Sequence, residues 1–282
     1  MLTRRRTVLF GLLALAACQG ASPAAPGTIA FTHVNVLPMT SEAVVADQTV
    51  VVVNGVITEV GPSDVITVGE GATLIDGTGQ YLMPGLAEMH AHVPSMENPP
   101  RDAVDDILFL YIANGVTTIR GMLGSDYQIP LADELETGTL LGPTLYVGAP
   151  SINGTSAPTP EAAEELVRRH KAAGYDLQKI HPGVSLESWD HMVEVAQEVG
   201  ITFGGHVPAD VGLVHAIETG MSTVDHLDGY VKAIASDDVV SQVNAGATNL
   251  AGLMNGVDED KLAAIIQLSV DHDVYVVPTM YL

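Results

Sequence analysis

Four histidines and one lysine stand where they could grip divalent cations. His90 and His92, in Gly85-Leu86-Ala87-Glu88-Met89-His90-Ala91-His92, are two residues apart. In an extended strand that spacing turns both imidazoles to one face, where they can hold one ion, and zinc or a similar divalent metal suits such a pair. Lys179 lies in Tyr175-Asp176-Leu177-Gln178-Lys179-Ile180-His181. An unpaired ammonium inside a strand is costly and readily loses its proton. The neutral amine can then add carbon dioxide to become a carbamate, whose two oxygens can bridge metals; a lysine snorkelling to the rim or paired with a carboxylate is the plainer alternative. His206 in Gly204-Gly205-His206-Val207-Pro208 and His226 in Thr223-Val224-Asp225-His226-Leu227-Asp228-Gly229 complete the set. Each alone could be a hydrogen-bonded core histidine. Five such groups at successive strand ends argue for metal.

The other histidines lack such settings. His33 falls in a β-rich segment, His170, His191 and His215 fall on predicted helices and His272 follows one, so these five are assigned to surface or packing. His181 is left open between facing outward and lining the site, and Tyr230 and Arg120 sit where a substrate carboxylate could be met.

The elements that must position these side chains come in two kinds. Residues 28–84 read as all-β, with strands at Ile29–Val36, Thr49–Val53, Val56–Val60 and Thr73–Ile75 and a hairpin turn at Asn54-Gly55. This suggests a partial, small N-terminal β-sandwich. From Gly85 strands and helices alternate, the pattern of parallel βα units. Strands begin near Leu86, Val116, Leu145, Leu177, Ile201, Thr223 and Val274. Ser185 should cap a helix that buries Trp189, Val193 and Ala196 and stops at Gly200; Asp210 should cap one running through Leu213 and Ile217 to Gly220; Thr159-Pro160 opens a third. Leu227–Asn255 reads as a loop excursion. The fold expected is α/β, a TIM-type (β/α)8 barrel over residues 85–282 with seven strands in sight where closure needs eight.

The order His-x-His, Lys, His, His, carried by PGLAEMHAH, YDLQKIH, GGHVP and VDHLDGY, resembles the amidohydrolase superfamily, in particular its imidazolonepropionase-like and prolidase-like exported members, from about Thr28 to the last residue. By that resemblance His90, His92 and an aspartate of an eighth strand hold one metal, His206 and His226 hold a second, and carbamylated Lys179 bridges them. It implies two zinc ions and a hydroxide between them that attacks a scissile carbonyl, with the strand-eight aspartate passing the proton to the leaving nitrogen. Substrates implied are small amides, dipeptides and N-acyl amino acids. No residue after the seventh strand can be given the aspartate's part, so the expectation is a truncated and inactive chain with no assignable general base. The rivals are a mononuclear deaminase or cyclic amidohydrolase with an unmodified Lys179, and an inactive lipid-anchored binding protein.

The first residues read as a targeting segment. Arg4, Arg5 and Arg6 precede the apolar run Val8–Ala17, too short to cross a bilayer as a mature helix. Leu15-Ala16-Ala17-Cys18 resembles the lipobox of bacterial lipoproteins, with Cys18, the one cysteine of the chain, as lipidation site. Residues 1–17 are then a signal peptide and 18–27 a tether, which implies export to the periplasmic or cell-surface side with membrane contact through the lipid alone. A net charge of −23 repels nucleic acid and anionic lipid, and removal of Arg4, Arg5 and Arg6 makes it more acid still. The partner expected is a small-molecule substrate; assembly into a homo-oligomer is left open. A length of 282 residues and 47% hydrophobic content suit one barrel, roughly 250 residues in general, with a small accessory unit.

Overall fold

The computed structural model describes residues 25, 27–244, 252 and 256–279. The segment read as a signal peptide, Cys18 and nearly all of the segment read as a tether lie outside the described residues. The chain divides into two compact units, Met1–Pro84 and Gly85–Leu282.

In the first unit β1 (Thr28–Val36), β2 (Val45–Val53), β3 (Val56–Pro62), β4 (Thr73–Asp76) and β5 (Tyr81–Leu82) form one sheet. Asn54 and Gly55 both take positive φ, as the tight turn between β2 and β3 requires, and Val53 pairs with Val56 across it. A sandwich was expected from the sequence. Among the described residues there is a single layer, because β1 pairs with antiparallel β2 on one side and with parallel β4 and β5 on the other.

The second unit repeats strand and helix: β6 (Leu86–Ala91), α1 (Arg101–Ala113), β7 (Val116–Gly121), α2 (Gln128–Glu136), β8 (Thr144–Val147), α3 (Pro160–Ala173), β9 (Leu177–Ile180), α4 (Leu186–Val199), β10 (Thr202–Gly205), α5 (Leu213–Glu218), β11 (Thr223–Asp225), α6 (Tyr230–Ala233), α7 (Asp237–Asn244), α8 (Glu259–Asp271) and β12 (Tyr275–Val277). The seven strands are parallel neighbours in chain order. Ladders join β6-β7-β8 and β9-β10-β11-β12, and bridges from Gly148 to Leu177 and from Ile152 to Ile180 connect the two groups. Their positions match those read from the sequence. The sheet curls far enough for His90 on β6 to reach Asp225 on β11. Its two outer strands, β6 and β12, carry exposed apolar side chains, among them Leu86, Met89, Tyr275 and Val276.

Local chemistry explains the helix ends. Thr159 Oγ1 accepts from Ala162 N with Pro160 in the first turn, Ser185 Oγ accepts from Ser188 N, and Gly174 and Gly200 close α3 and α4 in the left-handed conformation. The cap expected at Asp210 is not formed. The Pro208 carbonyl already closes a tight turn on the N–H groups of Val211 and Gly212, so α5 starts at Leu213 with Gly212 as its cap. The excursion after Leu227 is not a loop throughout: α6 and α7 occupy much of it, and Asp258 then caps α8 through the Asp260 and Lys261 amides. Two apolar clusters lie between strands and helices, one built on β6–β8 with α1 and α2, the other on β9–β11 with α3–α5 and α8. Trp189 is fully buried in the second, edge-on to Phe203, with its indole N–H donating to Thr219 Oγ1.

Candidate metal centre

The C-terminal ends of the strands bring the histidines into one row. Ring centroids are 5.2 Å apart for His92 and His90, 4.6 Å for His90 and His226, 4.5 Å for His226 and His206, and 5.1 Å for His206 and His181. His181, left open by the sequence, therefore belongs to the row. Its Nδ1 is hydrogen-bonded to Ser151 Oγ.

Buried groups join this row. Asp225 is fully enclosed; its Oδ2 accepts from His90 Nδ1 at 2.8 Å and lies 3.3 Å from Lys179 Nζ, while its Oδ1 is 3.5 Å from Arg120 Nη2. Lys179 is 1% exposed, as its position in a strand buried at every residue predicts. Gly205 makes room for it: a Cβ there would sit 2.5 Å from the Ile180 carbonyl oxygen and 3.1 Å from Lys179 Nζ. Its φ of +126° is one that L side chains rarely adopt.

β11 contributes more than its sequence suggests. Neighbouring residues of a regular strand point to opposite faces, yet Asp225 and His226 both meet the row, since His226 and Leu227 take φ of +61° and +59° and turn the chain. Past this turn Asp228 Oδ2 accepts from His206 Nδ1 at 2.7 Å and from the Val207 amide. The Thr279 hydroxyl donates to the Pro278 carbonyl, which leaves its oxygen to accept from His226 Nδ1 at 2.7 Å.

Electrostatics favour lone pairs over protons. Burial, helped by neighbouring His90 and Lys179, lowers the His92 pKa. Burial and the His206 ring do the same for His226, and burial with the Lys179 charge pushes His181 down to about 4. Burial also lowers Lys179, against the pull of Asp225. At Asp225 burial acts upward, but the His90 hydrogen bond and the Lys179 and Arg120 charges overcome it and keep the carboxylate ionised. Imidazoles packed ring against ring, two contacts edge-on and two stacked, are a donor set that fits a divalent metal.

His90, His92, Lys179, His206 and His226 thus meet, and His181 joins them. The two residues considered for a substrate carboxylate do not stand ready for it. Arg120 is buried, donating to the Met89 carbonyl through Nε and to Thr223 Oγ1 through Nη1, so its charge faces Asp225. The Tyr230 hydroxyl is hydrogen-bonded to Ser269 Oγ on α8, and the ring packs against the second apolar cluster. Sequence reasoning missed Asp225, Asp228, Thr279 and Ser151. Asp225 had a signal: it follows Thr223 by two, so strand alternation sends it to the same face.

No family model matches the chain. It is 27% identical over 230 residues to adenine deaminase 3 of Rhizobium meliloti (strain 1021), covering 76% of this chain and 37% of the relative. Dihydroorotase of Thermus aquaticus is 27% identical over 176 residues, covering 56% of this chain and 34% of the relative. This chain thus spans about a third of the length of these curated relatives. Among solved structures, a Xaa-Pro dipeptidase with bound methionine superposes with a TM-score of 0.64 at 18% identity, over 89% of this chain and 66% of that one. An amidohydrolase does so with a TM-score of 0.67 at 22% identity, over 90% and 66%. The chain is thus similar in sequence to part of a deaminase and of a dihydroorotase, and similar in fold to solved dipeptidase and amidohydrolase structures.

Proposed function

We propose that the protein hydrolyses C–N bonds of small molecules at a centre of two zinc ions, with dipeptides, N-acyl amino acids and related amides as substrates. The observation that carries this reading is the row of close-packed imidazoles at the strand ends above a buried lysine. His90 and His92 would hold one ion and His206 and His226 the other, with Lys179 between them. When bound, such ions polarise a carbonyl and acidify water, so that a nucleophile is available at neutral pH. Lys179 is suited to modification because burial lowers its pKa. Its neutral Nζ can attack carbon dioxide to form the N–C bond of a carbamate, and the Nζ proton it loses has Asp225 Oδ2 within reach, 3.3 Å away. His181, neutral and braced on Ser151, keeps its other nitrogen for a polar group of the substrate.

A second reading has its own observation. Lys179 and Asp225 form a buried ion pair, which suits an unmodified lysine and a single ion, the arrangement of a deaminase or cyclic amidohydrolase. Elemental analysis of the chain after dialysis against zinc and bicarbonate separates the two. Two ions per chain, falling to one or none in Lys179→Met and none in His206→Asn, supports the first reading; one ion, indifferent to bicarbonate, supports the second; a wild-type chain free of zinc, cobalt and manganese overturns both. Hydrolysis is then measured across dipeptides, N-acyl amino acids, adenine and dihydroorotate. Export and lipid attachment at Cys18 complete the reading, and loss of labelled palmitate in Cys18→Ala would support them.

A further inference from the structure

Each histidine that would hold an ion must offer one particular nitrogen, and the structure shows what settles the choice for three of them. His90, His206 and His226 each have Nδ1 occupied, by Asp225 Oδ2, Asp228 Oδ2 and Thr279 Oγ1. A ring nitrogen that donates its proton to a carboxylate leaves the other nitrogen unprotonated and more basic, and it fixes the plane of the ring. Two of these acceptors come from one four-residue stretch. His90 stands on β6 and His206 follows β10, whereas Asp225 and Asp228 flank His226. Two consecutive left-handed residues, His226 and Leu227, bring both carboxylates and the imidazole to the same mouth.

We propose that the Asp225-His226-Leu227-Asp228 turn organises the metal centre, with Asp225 and Asp228 as positioning residues that hold His90 and His206 by Nδ1 and present Nε2 of each to the ion. The inference rests on the metal-centre reading above. Direct ligation by Asp225 is the obvious competitor, since one of its oxygens and ligand nitrogens of His90 and His226 all lie within 4.8 Å of one another. Its Oδ2 is already shared by His90 and Lys179 and its Oδ1 lies 3.5 Å from Arg120, so three of its roughly four lone-pair sites are engaged, and the oxygen nearest the row is the one that holds His90. Asp228 likewise uses Oδ2 for both His206 and the Val207 amide. The same turn therefore supplies one ligand and two orienting carboxylates, and the ligands of three strands are coupled through it.

The test uses the full chain and reads metal binding and geometry, with no need for a substrate. Zinc affinity is measured by competition with a chelator, and the visible absorption of the cobalt-loaded protein reports coordination geometry. Asp228→Ala should weaken zinc by about 10–100-fold and alter the cobalt bands, with Asp228→Asn between it and wild type, because the amide oxygen still accepts from Nδ1 but carries no charge. The Asp228 side chain is 30% exposed, so the metal-free variant should still fold cooperatively, with a thermal midpoint lowered only by the loss of its two hydrogen bonds. Asp225→Asn should lose zinc affinity to a similar degree. Should that variant fold poorly, the two Asp228 variants carry the test by themselves. Asp228→Ala that binds zinc within about twofold of wild type, with unchanged cobalt bands, would overturn the proposal while leaving the metal centre itself intact. A wild-type chain that takes up no ion would overturn both.

Discussion

Arg120 is buried at 7% exposure. It lies on β7 with both a carboxylate and a carbonyl to satisfy, and its guanidinium is enclosed. Arg120→Met should therefore act on stability before it acts on substrate. Removing one member of a buried pair leaves the other uncompensated, and a loss of about 3–5 kcal/mol is expected in denaturant unfolding of the metal-free protein. A change below about 1 kcal/mol would mean that solvent reaches Asp225. The ligand candidates were legible because each carries its chemistry in its own residue type and stands at a strand end. The carboxylates were not. Asp225 shares a motif with His226, and only alternation along β11 betrays it; Asp228 reaches His206 through a left-handed turn that no spacing rule announces. The Tyr230 hydroxyl, considered for a substrate carboxylate, is hydrogen-bonded to Ser269 Oγ and links α6 to α8.

At the scale of elements, β9 and β10 are set by what Gly205 lacks. A methyl group there would meet the Ile180 carbonyl and the end of Lys179, and the backbone conformation is strained for any side chain. Gly205→Ala should cost at least about 2–3 kcal/mol and should displace Lys179, so zinc affinity falls together with thermal stability. Retention of both would show that β10 can shift freely. Strands and the helices α3 and α4 were readable because their signals are local: β-branched runs, an Asn-Gly turn, Thr159-Pro160, Ser185 and closing glycines. The start of α5 was not, since Pro208 competes for the same backbone through a turn of its own. Nor was the single layer of the first unit, which depends on which strands choose β1 as neighbour.

For the molecule as a whole, acid should be the sensitive direction. His92, His170, His181 and His226 all have pKa values lowered by burial, His181 to about 4. Above about pH 6.5, where histidines of the unfolded chain are also neutral, these groups do not favour unfolding. As pH falls below that value the unfolded chain takes up protons first, and stability declines until the folded pKa is reached. Thermal midpoints of the metal-free protein should therefore drop steadily between pH 6.5 and about 4, less steeply in His181→Gln; identical slopes would remove His181 from the account. Bound metal should raise the midpoints at neutral pH and lose this effect in acid, because protons compete for the same nitrogens. Among the described residues the outer strands β6 and β12 carry exposed apolar side chains and pair with a neighbouring strand on one side. Light scattering should show mass rising with concentration despite the net charge of −23, and more so in salt that screens that charge.

The left-handed conformation of Leu227 has a cost of its own. A bulky residue at φ of +59° is an outlier worth about 1–2 kcal/mol, and Leu227 is exposed enough that little packing is gained in return. A population of variants selected for heat resistance alone should drift to glycine or asparagine at this position, because either relieves the backbone without touching the two aspartates. Selection for tight metal capture should hold the bulkier residue if it narrows the freedom of the turn. Leu227 is then a position where endurance and chemical performance pull toward different amino acids.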